Sequence, residues 1–175
     1  MTNPQIDAAF VQHWSDRYEP SRLEQRLLGD VGPAVAARGH YQRQEFLDVG
    51  QWKTPRSKSY LNRNLAEDIE DITRLALAAP DRLRHRILDL LGGVGIPMAS
   101  ALLTVADADQ FTVIDFRAIE TLHLHAELNS KTPSYTTYLA VCRKVAKRVG
   151  ADLRSLDRAL WQWSKEGGGK STERA

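Results

Sequence analysis

Two stretches of the chain combine residue types that can do chemistry. The first is Gly92-Gly93-Val94-Gly95-Ile96-Pro97, where an apolar helical run stops at glycines and a proline restarts it. Glycines adopt backbone angles closed to other residues, so the chain can reverse here within a few residues and expose its amides. Pro97 suits the first turn of a new helix, where no amide hydrogen bond is lost. Free N–H groups and the helix dipole both favour an anion, so a phosphate is the natural ligand of such a turn. The second stretch runs from Arg38 to Arg63. It carries basic residues at 38, 43, 53, 56, 58 and 63 against Glu45 and Asp48, with Tyr41, Trp52 and Tyr60 among them. Rings and cations together can stack on a base and hold a phosphate. A solvated loop whose Trp52 plugs the core accounts for the same residues.

Other candidates have plainer explanations. Lys53, beside Trp52, could act as a nucleophile if a cleft lowered its pKa, but an exposed lysine that binds phosphate or water is the simpler role. Glu67, Asp68, Glu70 and Asp71 fall at the start of one helix, where a solvated acidic face is favoured by the dipole. Arg143, Lys144, Lys147 and Arg148 form a basic helix face that is either solvated or within reach of DNA phosphates. His123 and His125 are two apart and so do not share a helix face for a metal. Ser100 and Cys142 have no partner that would make either a nucleophile. Asp115 stands where a helix N-cap is expected.

The elements that must position these residues read as helices. Apolar spacing predicts a helix from Pro4 to about Tyr18, then a short one from Pro20 or Ser21 through Leu23, Leu27 and Leu28 that Gly29 and Gly32 end. A turn or two follows over Pro33–Arg38, and another helix over Glu45–Trp52. Asn64 is expected to cap a helix over Leu65–Ala78, with Leu65, Ile69, Ile72 and Leu75 on its inner face. The next begins at Pro80 or Asp81, buries Leu83, Ile87, Leu90 and Leu91, and ends in the glycine turn. The helix after Pro97 runs to about Ala106, and Phe111–Ile114 is a link too isolated for a sheet. Helices over Ser134–Val149 and from Asp152 through Ser164 complete an all-α fold. Residues 1–166 are expected to form one compact helical domain, with a disordered tail over 167–175.

Leu90-Leu91-Gly92-Gly93-Val94-Gly95-Ile96-Pro97-Met98-Ala99-Ser100-Ala101-Leu102-Leu103, followed by Val113-Ile114-Asp115-Phe116-Arg117, resembles a divergent branch of the helix-hairpin-helix superfamily of DNA glycosylases. Its usual hairpin is Leu-Pro-Gly-Val-Gly, with a carboxylate at the head of a later helix. The two motifs cover roughly a fifth of the chain. The resemblance implies two helical lobes around a cleft. It assigns DNA contact to Gly93, Val94 and Gly95, with Arg117 in the later motif as a further candidate; Trp52, Lys53 and Arg56 are candidates for DNA contact from the basic and aromatic pattern of their own stretch. It makes Asp115 the catalytic carboxylate, and implies a sodium or potassium ion on the backbone carbonyls of Leu91 and Val94. Three departures matter. Pro97 replaces the lysine of bifunctional members, which excludes a Schiff-base lyase through that position; Arg117 replaces a histidine, and Gly92 a proline. The implied activity is hydrolysis of the N-glycosidic bond of a damaged or modified base, flipped out of double-stranded DNA by a monomer. A DNA-binding module without the chemistry, or a helical interaction protein with no nucleic acid, are the readings that compete with it.

Bulk properties fit these readings. A 175-residue chain with 42% apolar and 26% charged residues can bury one sizeable core. Net charge +2 and a pI near 8.8 permit nucleic acid without demanding it. The single Cys142 excludes an internal disulfide, a cysteine-rich zinc site and a four-cysteine iron–sulfur cluster. No secretion signal and no apolar run near 18 residues is present, so a reducing cytoplasm is expected, with no membrane partner.

Overall fold

A computed structural model describes residues 3–168. Every regular element among them is helical. None of these helices is long and apolar enough to cross a membrane. The chain divides into two compact units. One is Pro20–Phe111, and the other joins the described residues up to Glu19 to those from Thr112 onward.

The second of these units begins with α1 (Ala8–Asp16), which starts four residues later than the apolar spacing suggests. The segment before it is held extended because its carbonyls are used elsewhere. His125 Nδ1 donates to the Pro4 carbonyl at 2.6 Å, and Arg148 donates to that of Ile6 at 2.9 Å. Asp7 then caps the helix through the Phe10 amide. Thr112, Val113 and Ile114 form a buried, non-helical link. Two of its carbonyls accept hydrogen bonds from the Tyr135 and Tyr138 hydroxyls, at 3.0 and 2.9 Å, so side chains take the place of a helical or sheet partner at both. The link delivers the chain to α9 (Phe116–Leu124), whose N-cap is Asp115. Next come α10 (Tyr135–Val149), capped by Ser134, and α11 (Leu153–Lys165), capped by Asp152. The helices α1 and α9 pack on α11, and the Thr121 hydroxyl donates to the Leu160 carbonyl at 2.7 Å.

The unit Pro20–Phe111 runs α2 (Arg22–Arg26), a π-helical turn over Leu27–Val31, α3 (Gly32–Arg38) and α4 (Arg43–Lys53). A 3-10 turn at Pro55–Ser57 leads to α5 (Lys58–Leu61), α6 (Ala66–Ala78), α7 (Asp81–Leu88) and α8 (Ile96–Ala106). Its core is α8, buried on all sides from Met98 to Val105. That is the pattern of a helix wrapped by its neighbours.

Four expectations are corrected here. Gly29 and Gly32 do not end α2; the chain continues through the π turn into α3. Gly32 is there for close approach, since a Cβ on it would lie 2.2 Å from the Val105 carbonyl oxygen of α8. On α6 the buried residues are Ile69, Thr73 and Ala76, while Leu65 and Leu75 are exposed. The helix is rotated so that the Thr73 hydroxyl can accept the Tyr41 amide and donate to Ile69, which makes a polar side chain acceptable inside. Leu90 is exposed, because α7 ends at Leu88 and the turn after it breaks the helical phase. Asn64 does not cap α6; Leu65 occupies that position with no side-chain bond. Residues 169–175, most of the expected tail, lie outside the described residues; Gly167 and Gly168 donate to Ser164 and Trp163.

Candidate nucleic-acid interface

The glycine turn joins α7 to α8 with a defined backbone. Leu91 and Val94 are buried and anchor it, and the Val94 amide donates to the Leu91 carbonyl at 3.1 Å. Between them Gly93 has φ +77°, the left-handed region where side chains are strained. A Cβ on Gly93 would lie 2.8 Å from Tyr60 Cβ, so α5 lies directly against the turn.

Asn64 supplies the lock. Its Oδ1 accepts the Gly92 amide at 2.7 Å, while its Nδ2 donates to the Gly92 carbonyl at 2.8 Å and to the Leu61 carbonyl at 3.0 Å. One side-chain amide thus grips both polar groups of Gly92, as a paired backbone strand would. Nothing in the sequence marks this partnership across 28 residues; Asn64 reads there as a helix cap.

Gly95 differs from the other two turn glycines. Its φ of −93° and ψ of −174° are open to any residue, and a Cβ on it would meet nothing nearer than Pro97 Cδ at 3.9 Å. Neither dihedral nor packing requires glycine there. Among the described residues no acceptor meets the amides of Gly93, Gly95 or Ile96. The turn therefore presents N–H groups to solvent at the start of α8, with Leu90 and Ile96 exposed on either side.

The second sequence stretch is partly brought to the same place. Gly50 of α4 packs against Leu61 and Met98, and the Thr54 hydroxyl lies 3.9 Å from Met98 Sδ. The end of α4 therefore borders the first turn of α8. Trp52 and Lys53 are half-buried there, while Arg56, Lys58 and Arg63 are exposed. The Arg63 guanidinium lies 5.3 Å from the centroid of the exposed Tyr60 ring. Tyr41 does not belong to this surface. It is fully buried, its hydroxyl donates to the Leu102 carbonyl at 2.6 Å, and burial raises its pKa well above the usual value.

Asp115 and Arg117 belong to the other unit. Asp115 is half-buried, and Oδ1 accepts the Arg117 amide at 2.9 Å as the cap of α9. Arg117 lies over Phe116 at 5.1 Å and over Trp161 at 5.7 Å. On α10, Arg148 is committed to Glu127 and to the Ile6 carbonyl, which removes it from the expected basic face; Lys144 and Lys147 remain exposed.

The remaining candidates have structural roles. Cys142 is buried, and burial pushes its thiol far up. The Ser100 hydroxyl donates to the Pro97 carbonyl. His123 and His125 bond to different carbonyls, those of Leu128 and Pro4. Among the described residues no three His, Cys, Asp or Glu side chains gather to hold a metal ion. A cavity of about 340 Å³ lined by Ala36, Arg74, Leu77, Arg84 and Asp107 includes none of the turn residues. No family model, curated protein or solved structure matches the chain.

Proposed function

We propose that the chain is a DNA-binding protein of helix-hairpin-helix type that hydrolyses the N-glycosidic bond of a damaged or modified base. The observation that carries this reading is Gly95, a glycine with no internal need for its missing side chain, beside amides that point to solvent. A phosphate oxygen approaching those amides explains why the position is bare. Arg56, Lys58 and Arg63 add charge around it, and Tyr60 an exposed ring. The division into two helical units is what a divergent two-lobed glycosylase fold would have. The carbonyls of Leu91 and Val94 are hard oxygen donors of the kind that suits sodium or potassium, and such an ion would add positive charge beside the phosphate.

In this reading Asp115 works at the sugar of a flipped nucleotide. The bond from C1′ to the base nitrogen breaks and its electron pair leaves with the base. The carboxylate stabilises the oxocarbenium-like transition state, and water adds to C1′ as Asp115 takes its proton. With proline at 97 no covalent enzyme intermediate forms through that position, and the product is an abasic site in an uncut strand. A second reading, DNA binding without catalysis, is favoured by the bond from the Arg117 amide, since capping α9 is a sufficient role for Asp115.

Asp115→Asn separates the two. Asparagine caps a helix as well as aspartate does, so folding and DNA binding should persist. Base release from a panel of lesion-bearing duplexes, identified by mass spectrometry, should fall by about 10²–10³-fold if the carboxylate stabilises the transition state. Release by neither protein, with salt-sensitive binding by both, leaves the non-catalytic reading standing.

A further inference from the structure

One face of α11 carries Arg154, Arg158, Trp161 and Lys165, at the four-three-four spacing that aligns side chains on a helix. Each cation on it rests on a ring. Lys165 Nζ lies 4.8 Å from the centroid of Trp161, whose ring also carries Arg117 from α9. Trp161 meets Tyr18 edge-on at 5.5 Å, and Tyr18 carries Arg158 at 5.5 Å and Arg154 at 5.9 Å. At the α9 end the series closes on Phe116, covered by Arg117 yet 71% exposed. Cations and aromatic rings alternate along the surface of this unit.

The carboxylates on the adjoining turns are engaged within the fold. Asp157 is buried against Arg154, which commits that guanidinium to the fold and not to a ligand, Glu120 accepts a hydrogen bond from Ser164, and Asp115 caps α9. A ligand suited to this surface must bring both negative charge and flat rings. An acidic peptide brings only the charge, and duplex DNA keeps its rings stacked inside. An unpaired strand offers phosphates to the cations and base faces to the rings.

We infer that this stripe binds single-stranded DNA, with Phe116 stacking on an unpaired base. The inference goes beyond the duplex reading of the glycine turn and does not depend on it, since all of its residues lie in the unit that lacks the turn. The test is fluorescence anisotropy of the full chain with labelled oligothymidylate and with an abasic strand of equal length. The chain should bind oligothymidylate about 5- to 100-fold more tightly than the abasic strand, and Phe116→Ser should abolish most of that difference. Phe116→Leu, which keeps apolar bulk without a ring, should do the same and controls for any loss of folding. Combining Arg158→Gln with Lys165→Gln should flatten the log–log salt slope by about 1.4, the share of two phosphate contacts on a single strand. Equal binding of both strands by the unmodified chain, or unchanged binding by both Phe116 variants, overturns the inference. Duplex affinity of Gly95→Ala is measured separately, so either proposal can fail while the other stands.

Discussion

The last two glycines of the turn, Gly93 and Gly95, make opposite predictions from one substitution. Gly93→Ala places a Cβ at φ +77° and 2.8 Å from Tyr60 Cβ. The left-handed backbone costs about 1–2 kcal/mol, and the contact adds to it because the opposing atom is anchored close to the α5 backbone. A total of about 2–3 kcal/mol should lower the melting temperature by roughly 5–10 °C in a chain of this size. Gly95→Ala meets neither obstacle. Restricting the unfolded chain gains about 0.4–1 kcal/mol, and alanine is a poorer N-cap than glycine by a similar amount, so stability should change by less than about 0.5 kcal/mol. Its methyl group nevertheless stands where a phosphate would approach. Loss of one charge-assisted amide bond, about 1.5–3 kcal/mol, should weaken duplex binding about tenfold to a hundredfold. Urea denaturation and DNA anisotropy on the same samples give both numbers. Gly95→Ala that melts like Gly93→Ala, or that binds duplex as tightly as the unmodified chain, refutes the phosphate role.

Three further outcomes follow from the packing. Asn64→Ala removes three hydrogen bonds, two of them to Gly92 of the turn and one to Leu61, worth about 2–3 kcal/mol in total. Amide exchange at Gly92 should accelerate by orders of magnitude while exchange in the middle of α8 changes little. Gly32→Ala forces a methyl group to 2.2 Å from a backbone oxygen that cannot move without α8, and should cost about 3 kcal/mol or more, read as a lowered urea midpoint. His125 gives a pH signature. Burial holds its pKa below the usual value, against the opposing pulls of the Pro4 carbonyl and Glu127, and its buried Nε2 has no partner among the described residues. Because the folded pKa is depressed, the stability it contributes is present above pH 6.5 and is lost as the pH falls from there to the depressed value. His85 is lowered in the same direction, by burial first. Urea midpoints measured from pH 7.5 down to 5 should therefore fall, with a slope of at most about 1.4 kcal/mol per pH unit from each histidine. His125→Gln should remove its share of that slope; an unchanged slope would show that the imidazole titrates freely in the folded chain.

What the sequence discloses and what it hides follow from the range of the interactions. The caps at Asp115 and Asp152 are legible because a cap bonds an amide two or three residues ahead, and the helices they start follow from local spacing. Asn64 shows the limit. Its position before α6 suits a cap, but its amide makes two bonds to Gly92, and only the fold decides between those uses. Glycine is ambiguous for the same reason. Gly32 looks like a helix stop until the Val105 carbonyl of α8 is seen against it, whereas Gly93 is a true conformational glycine and Gly95 is neither. The rotated face of α6 depends on Tyr41, 32 residues from Thr73, so apolar spacing alone points it toward Leu65 and Leu75. The alternation of rings and cations along α11 was hidden in the same manner, since Tyr18 and Arg117 join Arg158, Trp161 and Lys165 only once α1 and α9 have docked. Local signals in this chain specify where helices start. Long-range pairings decide which of their faces are left to meet a ligand.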